Sequence, residues 1–202
     1  ITCIDIVYYM YQSEWISNAV LHIFSHWNWS DGEVVDVWAY YNNADEVELF
    51  LNGESLVSKT KQGDDLHVSW RVPFKPGTLY AVSRSDGEVV LEKEIRTAGS
   101  PAKIQLISDK KELKADGNDL IFVTVNILDD KNILVPKADN LVQIEITGGG
   151  KIIGVDNGYQ ASMEAFKANK RRAYNGKCLV IIQSNYKNEP VTLKATSEGL
   201  DS

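Results

Sequence analysis

The chain has 202 residues, 44% of them hydrophobic and 24% charged, with a formal net charge of -7. That apolar content excludes intrinsic disorder, and no apolar run reaches the roughly 18 to 20 residues of a membrane-crossing helix. The excess of 28 acidic over 21 basic side chains repels phosphate backbones and argues against nucleic acid as a partner, while two cysteines, Cys3 and Cys178, supply neither a disulfide framework nor a zinc site.

Residues 2–15 carry the helical signal. Ile4, Val7, Tyr8, Tyr11 and Trp15 recur at helical spacing, and Thr2 with Asp5 has the form of a capping box. Such a stripe has to be covered by something large, and nothing downstream is helical enough to do it. The chain opens Ile1-Thr2-Cys3 without the pattern of a signal peptide, so it is expected to be part of something longer.

From residue 20 onward the period changes to two. Val35, Val37 and Ala39 alternate with Asp36, Trp38 and Tyr40; Val47, Leu49 and Leu51 with Glu46, Glu48 and Phe50; Leu66, Val68, Trp70 and Val72 with His67, Ser69 and Arg71. Ile121, Val123, Val125 and Ile127 repeat the pattern, which turns one face of each strand inward. Cys178 to Ile182 is apolar throughout and predicts a central strand buried on both faces. Asn52-Gly53, Asp86-Gly87, Asn175-Gly176 and three further Asx-Gly pairs (Asp31-Gly32, Asp116-Gly117, Asn157-Gly158) mark turns, because Asn, Asp and Gly tolerate positive φ best. Thr97-Ala98-Gly99-Ser100-Pro101 interrupts the strands and predicts a boundary. The fold class expected is mainly β: two antiparallel sandwiches of immunoglobulin-like size, residues 18–98 and 99–202, after a helix in residues 1–17.

Chemistry is sparse. His22 and His26 have a zinc-like spacing but fall on an expected strand, with no third ligand near, so no metal and no cofactor are expected. The acidic side chains lie on outward strand positions or in turns, without a paired catalytic set. Asp116 to Asp119 and Asp129 to Asn132 read as hairpin turns rather than calcium loops, and Lys167, Lys170, Arg171 and Arg172 as a solvated basic edge. The aromatic residues are the suggestive group: Trp15, Trp27, Trp29 and Trp38 with Tyr40 and Tyr41 crowd the first part of the chain, and sugars stack on such rings. Core packing competes with that role for Trp38 and for one of Trp27 and Trp29.

Tyr8-Tyr9-Met10-Tyr11-Gln12-Ser13-Glu14-Trp15, Val20-Leu21-His22-Ile23 and His26-Trp27-Asn28-Trp29 resemble the end of the catalytic barrel and the linker after it in glycoside hydrolase family 2, in the β-galactosidase-like form found in Bacteroides. Glu46 to Leu56, Lys75 to Leu79 and Arg96 to Pro101 resemble the domain after the barrel, with Val57 standing where a glycine commonly follows Ser-Leu. Leu113 to Leu120 and Gly154 to Gly158 resemble the last, bacterial-immunoglobulin-like domain. The resemblance implies a remnant of the last helix of a (β/α)8 barrel in residues 1–17, an immunoglobulin-like sandwich in 18–98 and a bacterial one in 99–202. It implies that the two catalytic Glu residues of a retaining glycosidase lie on barrel strands outside this chain, which would be inactive alone. The implied partner is the catalytic barrel, with oligosaccharide as a second, and Trp15, His26, Trp27 and Trp29 are the candidates for contact with either. Export to the periplasm or surface of a bacterium follows from the resemblance alone. An independent carbohydrate-binding module and a structural or adhesin spacer are the alternatives.

Overall fold

The computed structural model describes residues 3–201, with side chains from Val7 onward, so the Thr2–Asp5 capping box lies outside the described residues. The chain divides into two compact units, Ile1–Thr97 and Ala98–Ser202.

The first unit begins with helix α1 (Cys3–Trp15) and continues as β1 (Leu21–Phe24), β2 (Val34–Tyr41), β3 (Glu46–Leu51), β4 (Glu54–Lys59), β5 (Val68–Pro73), β6 (Thr78–Ser85) and β7 (Glu88–Arg96). They form two antiparallel sheets, ordered β1-β2-β5 and β4-β3-β6-β7. Alternation decides what lies between them. Val35, Val37 and Ala39 from β2, Val47 and Leu49 from β3, Val68, Trp70 and Val72 from β5, and Leu79 and Ala81 from β6 make one buried core with Ile23, Trp27 and Phe74. Each buried Val, Leu, Ile or Phe among them is worth roughly 1.5–3 kcal/mol of transfer free energy, the main favourable term in this unit. Leu66, placed with β5 by its period, is exposed; residues 62–65 fold into a turn, in which the Gln62 amide donates to the Asp65 carboxylate at 3.1 Å, and pairing starts at Val68.

The Asn52-Gly53 hairpin forms as its sequence predicts, with φ of 52° and 85° and Leu51 paired to Glu54. Farther along, Glu48 pairs with Ser58 and Phe50 with Ser55, so Leu56 and Val57 stand opposite the single residue Leu49. This bulge turns Leu56 toward the core and leaves Val57 exposed at φ 76°.

The second unit contains β8 (Lys103–Ser108), β9 (Leu120–Leu128), β10 (Leu141–Thr147), β11 (Gly150–Asp156), β12 (Lys170–Arg172), β13 (Lys177–Ser184) and β14 (Thr192–Thr196). Its sheets are ordered β11-β13-β9-β8 and β12-β10-β14, again antiparallel. Val123, Val125, Ile127, Val142, Ile144, Val180 and Ile182 fill the core between them. Strand β13 is central, as its apolar run predicts, but its two faces differ. Cys178, Val180 and Ile182 are buried, whereas Leu179 and Ile181 are half-buried. Ile181 lies opposite Phe122, itself exposed, so this strand's outer face carries apolar side chains that are only partly covered.

Candidate functional site

Helix α1 lies on β1 and β2. The face it turns inward is Tyr9 and Ser13, one helical turn apart: Tyr9 stacks on His22 at 3.6 Å with ring planes 6° apart, and Ser13 is buried with its hydroxyl donating to the Met10 carbonyl at 2.8 Å. Three polar contacts hold the helix end. The Asn42 amide donates to the Ile16 carbonyl at 3.0 Å, the Asn43 amide to that of Ser17 at 2.6 Å, and Lys61 Nζ sits 3.2 Å from the Glu14 carboxylate. The stripe of Val7, Tyr8, Tyr11 and Trp15 therefore faces away from the sheet. Trp15 is 76% exposed, with the Tyr11 ring against it at 4.4 Å, and Ile16 continues the surface.

The other three candidates share one loop. After β1, Ser25 adopts φ 112°, a region that costs a residue with a Cβ, and the chain bends into His26–Trp29. Trp27 is completely enclosed: its ring packs on Phe74 at 5.2 Å and its N–H donates to the Lys75 carbonyl at 3.0 Å. It belongs to the core of the unit and offers no surface there. His26 and Trp29 are half-buried and stacked on each other at 4.5 Å, 20° between planes. The Trp29 indole donates to the His26 carbonyl at 2.8 Å, while His26 Nδ1 accepts the Asn28 amide at 3.2 Å, so both rings are held in place. Trp38 is occupied as well, stacked on His67 at 4.6 Å; His67, outward by alternation, covers an indole. The structure thus divides the aromatic group: Trp27 is a core residue, His26 and Trp29 a fixed half-exposed pair, and Trp15 the end of an uncovered stripe.

Several carboxylates are held by hydrogen bonds within the fold. Asp116 accepts the amides of Asn118 and Asp119, each at 2.8 Å, and these bonds hold it below the usual carboxylate range. Burial alone would raise Asp129, but the amides of Gly99, Ile133 and Lys131, at 2.8, 2.8 and 2.9 Å, bring it below that range instead. Glu48 is lowered by the Ser55 hydroxyl and, against the opposing effect of burial, by Arg84 at 2.8 Å. Among the described residues no three His, Cys, Asp or Glu side chains gather where they would hold a metal ion.

Arg171 corrects the reading of the basic run as a solvated edge. Its side chain is fully buried, with Nη2 donating to Asn157 Oδ1 at 2.9 Å and to Asp156 Oδ1 at 3.3 Å, and Nη1 to the Glu164 carbonyl at 3.1 Å. It ties down residues 156–166, whose Tyr159, Met163 and Phe166 are exposed. No local signal in the sequence marks it, since Lys170 and Arg172 beside it point to solvent; only the inward phase of β12 singles out Arg171.

Residues 104–202 match the family described as glycoside hydrolase family 2 C-terminal domain 5, and residues 32–91 match a domain of unknown function, DUF4982. Beta-galactosidase BoGH2A of Bacteroides ovatus is 58% identical over 194 residues, which is 96% of this chain and 23% of that protein. This chain belongs to the C-terminal region of glycoside hydrolase family 2. A relative from Thermoanaerobacter pseudethanolicus, named beta-galactosidase, is 27% identical over 78% of the chain and 22% of its own length. Among solved structures, a beta-glycosidase from Bacteroides vulgatus superposes with a TM-score of 0.90 at 32% identity, over 96% of this chain and 25% of that one. A family 2 member from Bacteroides cellulosilyticus gives 0.89 at 33% identity, over 95% and 29%. The chain therefore spans about a quarter of the length of these relatives, and these relatives are bacterial. No helix among the described residues is long and apolar enough to cross a membrane.

Proposed function

We propose that the chain is the non-catalytic C-terminal β-sandwich region of a β-galactosidase-like family 2 enzyme that hydrolyses terminal β-glycosidic bonds in carbohydrate metabolism. In this reading residues 1–17 are a remnant of the last helix of the catalytic barrel, residues 18–98 and 99–202 are the two sandwich domains, and the parent is exported to the periplasm or surface of a bacterium. The hydrolysis would run with retention through two Glu residues of the barrel, one as nucleophile and one as acid/base, with the present chain bracing that barrel.

The observation that supports this is the orientation of α1. Its inward face is satisfied by Tyr9 on His22, yet Val7, Tyr8, Tyr11 and Trp15 form a second apolar face left in solvent. A contiguous aromatic surface of this kind marks an interface, and the rest of the barrel is the partner that fits a helix at this place in the family. His26 and Trp29 extend the contact as a fixed pair, and Trp27 holds their loop from behind through the Lys75 carbonyl.

Paired substitution tests the reading. Tyr11→Ser with Trp15→Ser should leave the thermal midpoint of the isolated chain within about 2 °C, since exposed side chains contribute little there, and should lower that of the intact enzyme by several degrees. Equal effects in both, or none in the intact enzyme, would remove the barrel contact. Hydrolysis of a chromogenic β-galactoside by the isolated chain would place catalysis here after all.

A further inference from the structure

A fully buried cation in the second unit is used on a surface loop. The Arg171 guanidinium holds Asp156, Asn157 and the Glu164 carbonyl, while Tyr159, Met163 and Phe166 of the same segment stay outside the core. Taking a guanidinium out of water is costly unless every lost hydrogen bond is replaced. Here one is not: Arg171 Nε has no hydrogen-bond partner among the described residues, and the Glu164 carboxylate stands 3.7 Å from it. The arrangement fixes the shape of residues 156–166. Backbone bonds fix it further, with the Val155 amide donating to the Phe166 carbonyl at 2.8 Å and the Ser162 amide to that of Tyr159 at 3.0 Å.

What this loop presents is a set of ring faces beside carboxylates. Phe166 lies with one face toward Arg171, whose Cζ is 5.3 Å from the ring centroid; at 60% exposure its other face meets solvent. Tyr159 stacks on Tyr174, from the turn between β12 and β13, at 4.7 Å with planes 28° apart, and both rings remain exposed beyond that contact. Asp156 takes its protein donors on Oδ1, from Arg171 and from the amides of Asn157 and Gly158, which leaves Oδ2 as a further acceptor. The Glu164 carboxylate, too far from Arg171 for a hydrogen bond, is also partly exposed.

That combination selects a ligand by chemistry. Ionised carboxylates only accept hydrogen bonds, so they call for hydroxyl or N–H donors and repel an anion. A wholly apolar ligand would desolvate them without return, whereas bare aromatic faces suit a flat surface of C–H groups. A pyranose ring carries hydroxyl donors at its edge and C–H groups on its face, and β-linkage keeps those faces bare along a chain. Because the loop is already fixed, little ordering opposes binding.

We propose that residues 156–166 and Tyr174 form a saccharide-binding surface for a neutral β-linked oligosaccharide, with pyranose rings stacked on Phe166 and Tyr159 and hydroxyls donating to Asp156 and Glu164. The inference concerns the second unit alone and does not depend on the contact proposed for α1.

Titration of the isotope-labelled 202-residue chain with β-1,4-galactotetraose and with cellotetraose, followed by amide NMR shifts, tests it. At least one should give saturable shifts within residues 156–166, at a Kd of roughly a millimolar. Phe166→Ser and Tyr159→Ser, at exposed positions, should keep the thermal midpoint within about 2 °C and weaken binding by about tenfold, with Phe166→Tyr retaining it. Absence of loop shifts with both sugars at about 20 mM overturns the proposal, as does equal binding by the serine variants. Met163, 97% exposed, separates a free loop from one covered by protein in the intact enzyme. Peroxide should oxidise it there as fast as free methionine, and protection would overturn the proposal by showing that polypeptide occupies the surface.

Discussion

The indole N–H of Trp70 donates to the carbonyl of Val57 at 3.0 Å, and Val57 sits at φ 76°. The left-handed region costs a β-branched residue more than any other kind, and here it accompanies a bulge whose extra residue sends Leu56 inward. The side chain of Val57 itself gains little, being exposed. The backbone geometry is what the site uses: it aims one carbonyl at a buried tryptophan.

Val57→Gly should therefore stabilise the first unit by about 1 kcal/mol, since glycine adopts this φ freely and the carbonyl is unchanged. Denaturant unfolding of both forms measures it, and Val57→Ala should gain much less. A destabilised glycine form would mean that the valine side chain packs in a way its exposure does not reveal.

Arg171→Met keeps most of the volume and removes the charge. Asn157 and the Glu164 carbonyl lose their donors, and the acids Asp156 and Glu164 lose their counter-ion. Breaking a buried pair on one side is costly, though here the carboxylates retain contact with water, so a loss of about 2–3 kcal/mol is expected. Proteolysis should cut within residues 158–168 at a lower protease concentration than in the parent chain. Arg171→Lys should recover little, because a single ammonium cannot reproduce three directed donor contacts.

The carboxyl of Asp129 is held low in the fold and rises to about 3.9 when the chain unfolds, so its stabilising effect is present above that value and declines as pH falls through the folded one. Asp129→Asn should be less stable at pH 6, and the difference should narrow below about pH 4. Thermal midpoints taken from pH 6 to pH 2.5 show whether the two curves converge. Parallel curves would mean that Asp129 acts without titrating.

Burial pushes the Cys178 thiol up to about 12, with Arg171 opposing. In a Cys3→Ser background, Cys178 should resist alkylation at pH 8 in the native chain and react readily once denaturant unfolds it. Rapid native-state labelling would show that β13 opens locally.

Much of the fold could be read along the chain because each strand carries its own inside–outside record. Val47 and Leu49 against Glu46 and Glu48, or Val123 and Val125 against Phe122 and Thr124, identify a buried face with no reference to any other part of the molecule. The site was less accessible, for the same reason in reverse. Trp27 and Trp29 are two residues apart and chemically identical, but one is enclosed by Phe74 and Lys75 and the other stacks on His26 at the surface. Arg171, between two solvated basic residues, is buried because Asp156, Asn157 and Glu164 come to it from another strand and a loop.

What the sequence by itself determined is therefore the class of fold, the turns and the family. Periodicity and turn chemistry act within a few residues, and the family motifs are local strings. What only the tertiary structure decided is how surfaces are used: that the stripe of α1 ending at Trp15 points away from the sheet, that Trp27 is core, and that Arg171 is buried. Those outcomes depend on which elements pack against one another, and packing between residues distant in the chain leaves no mark on any one segment.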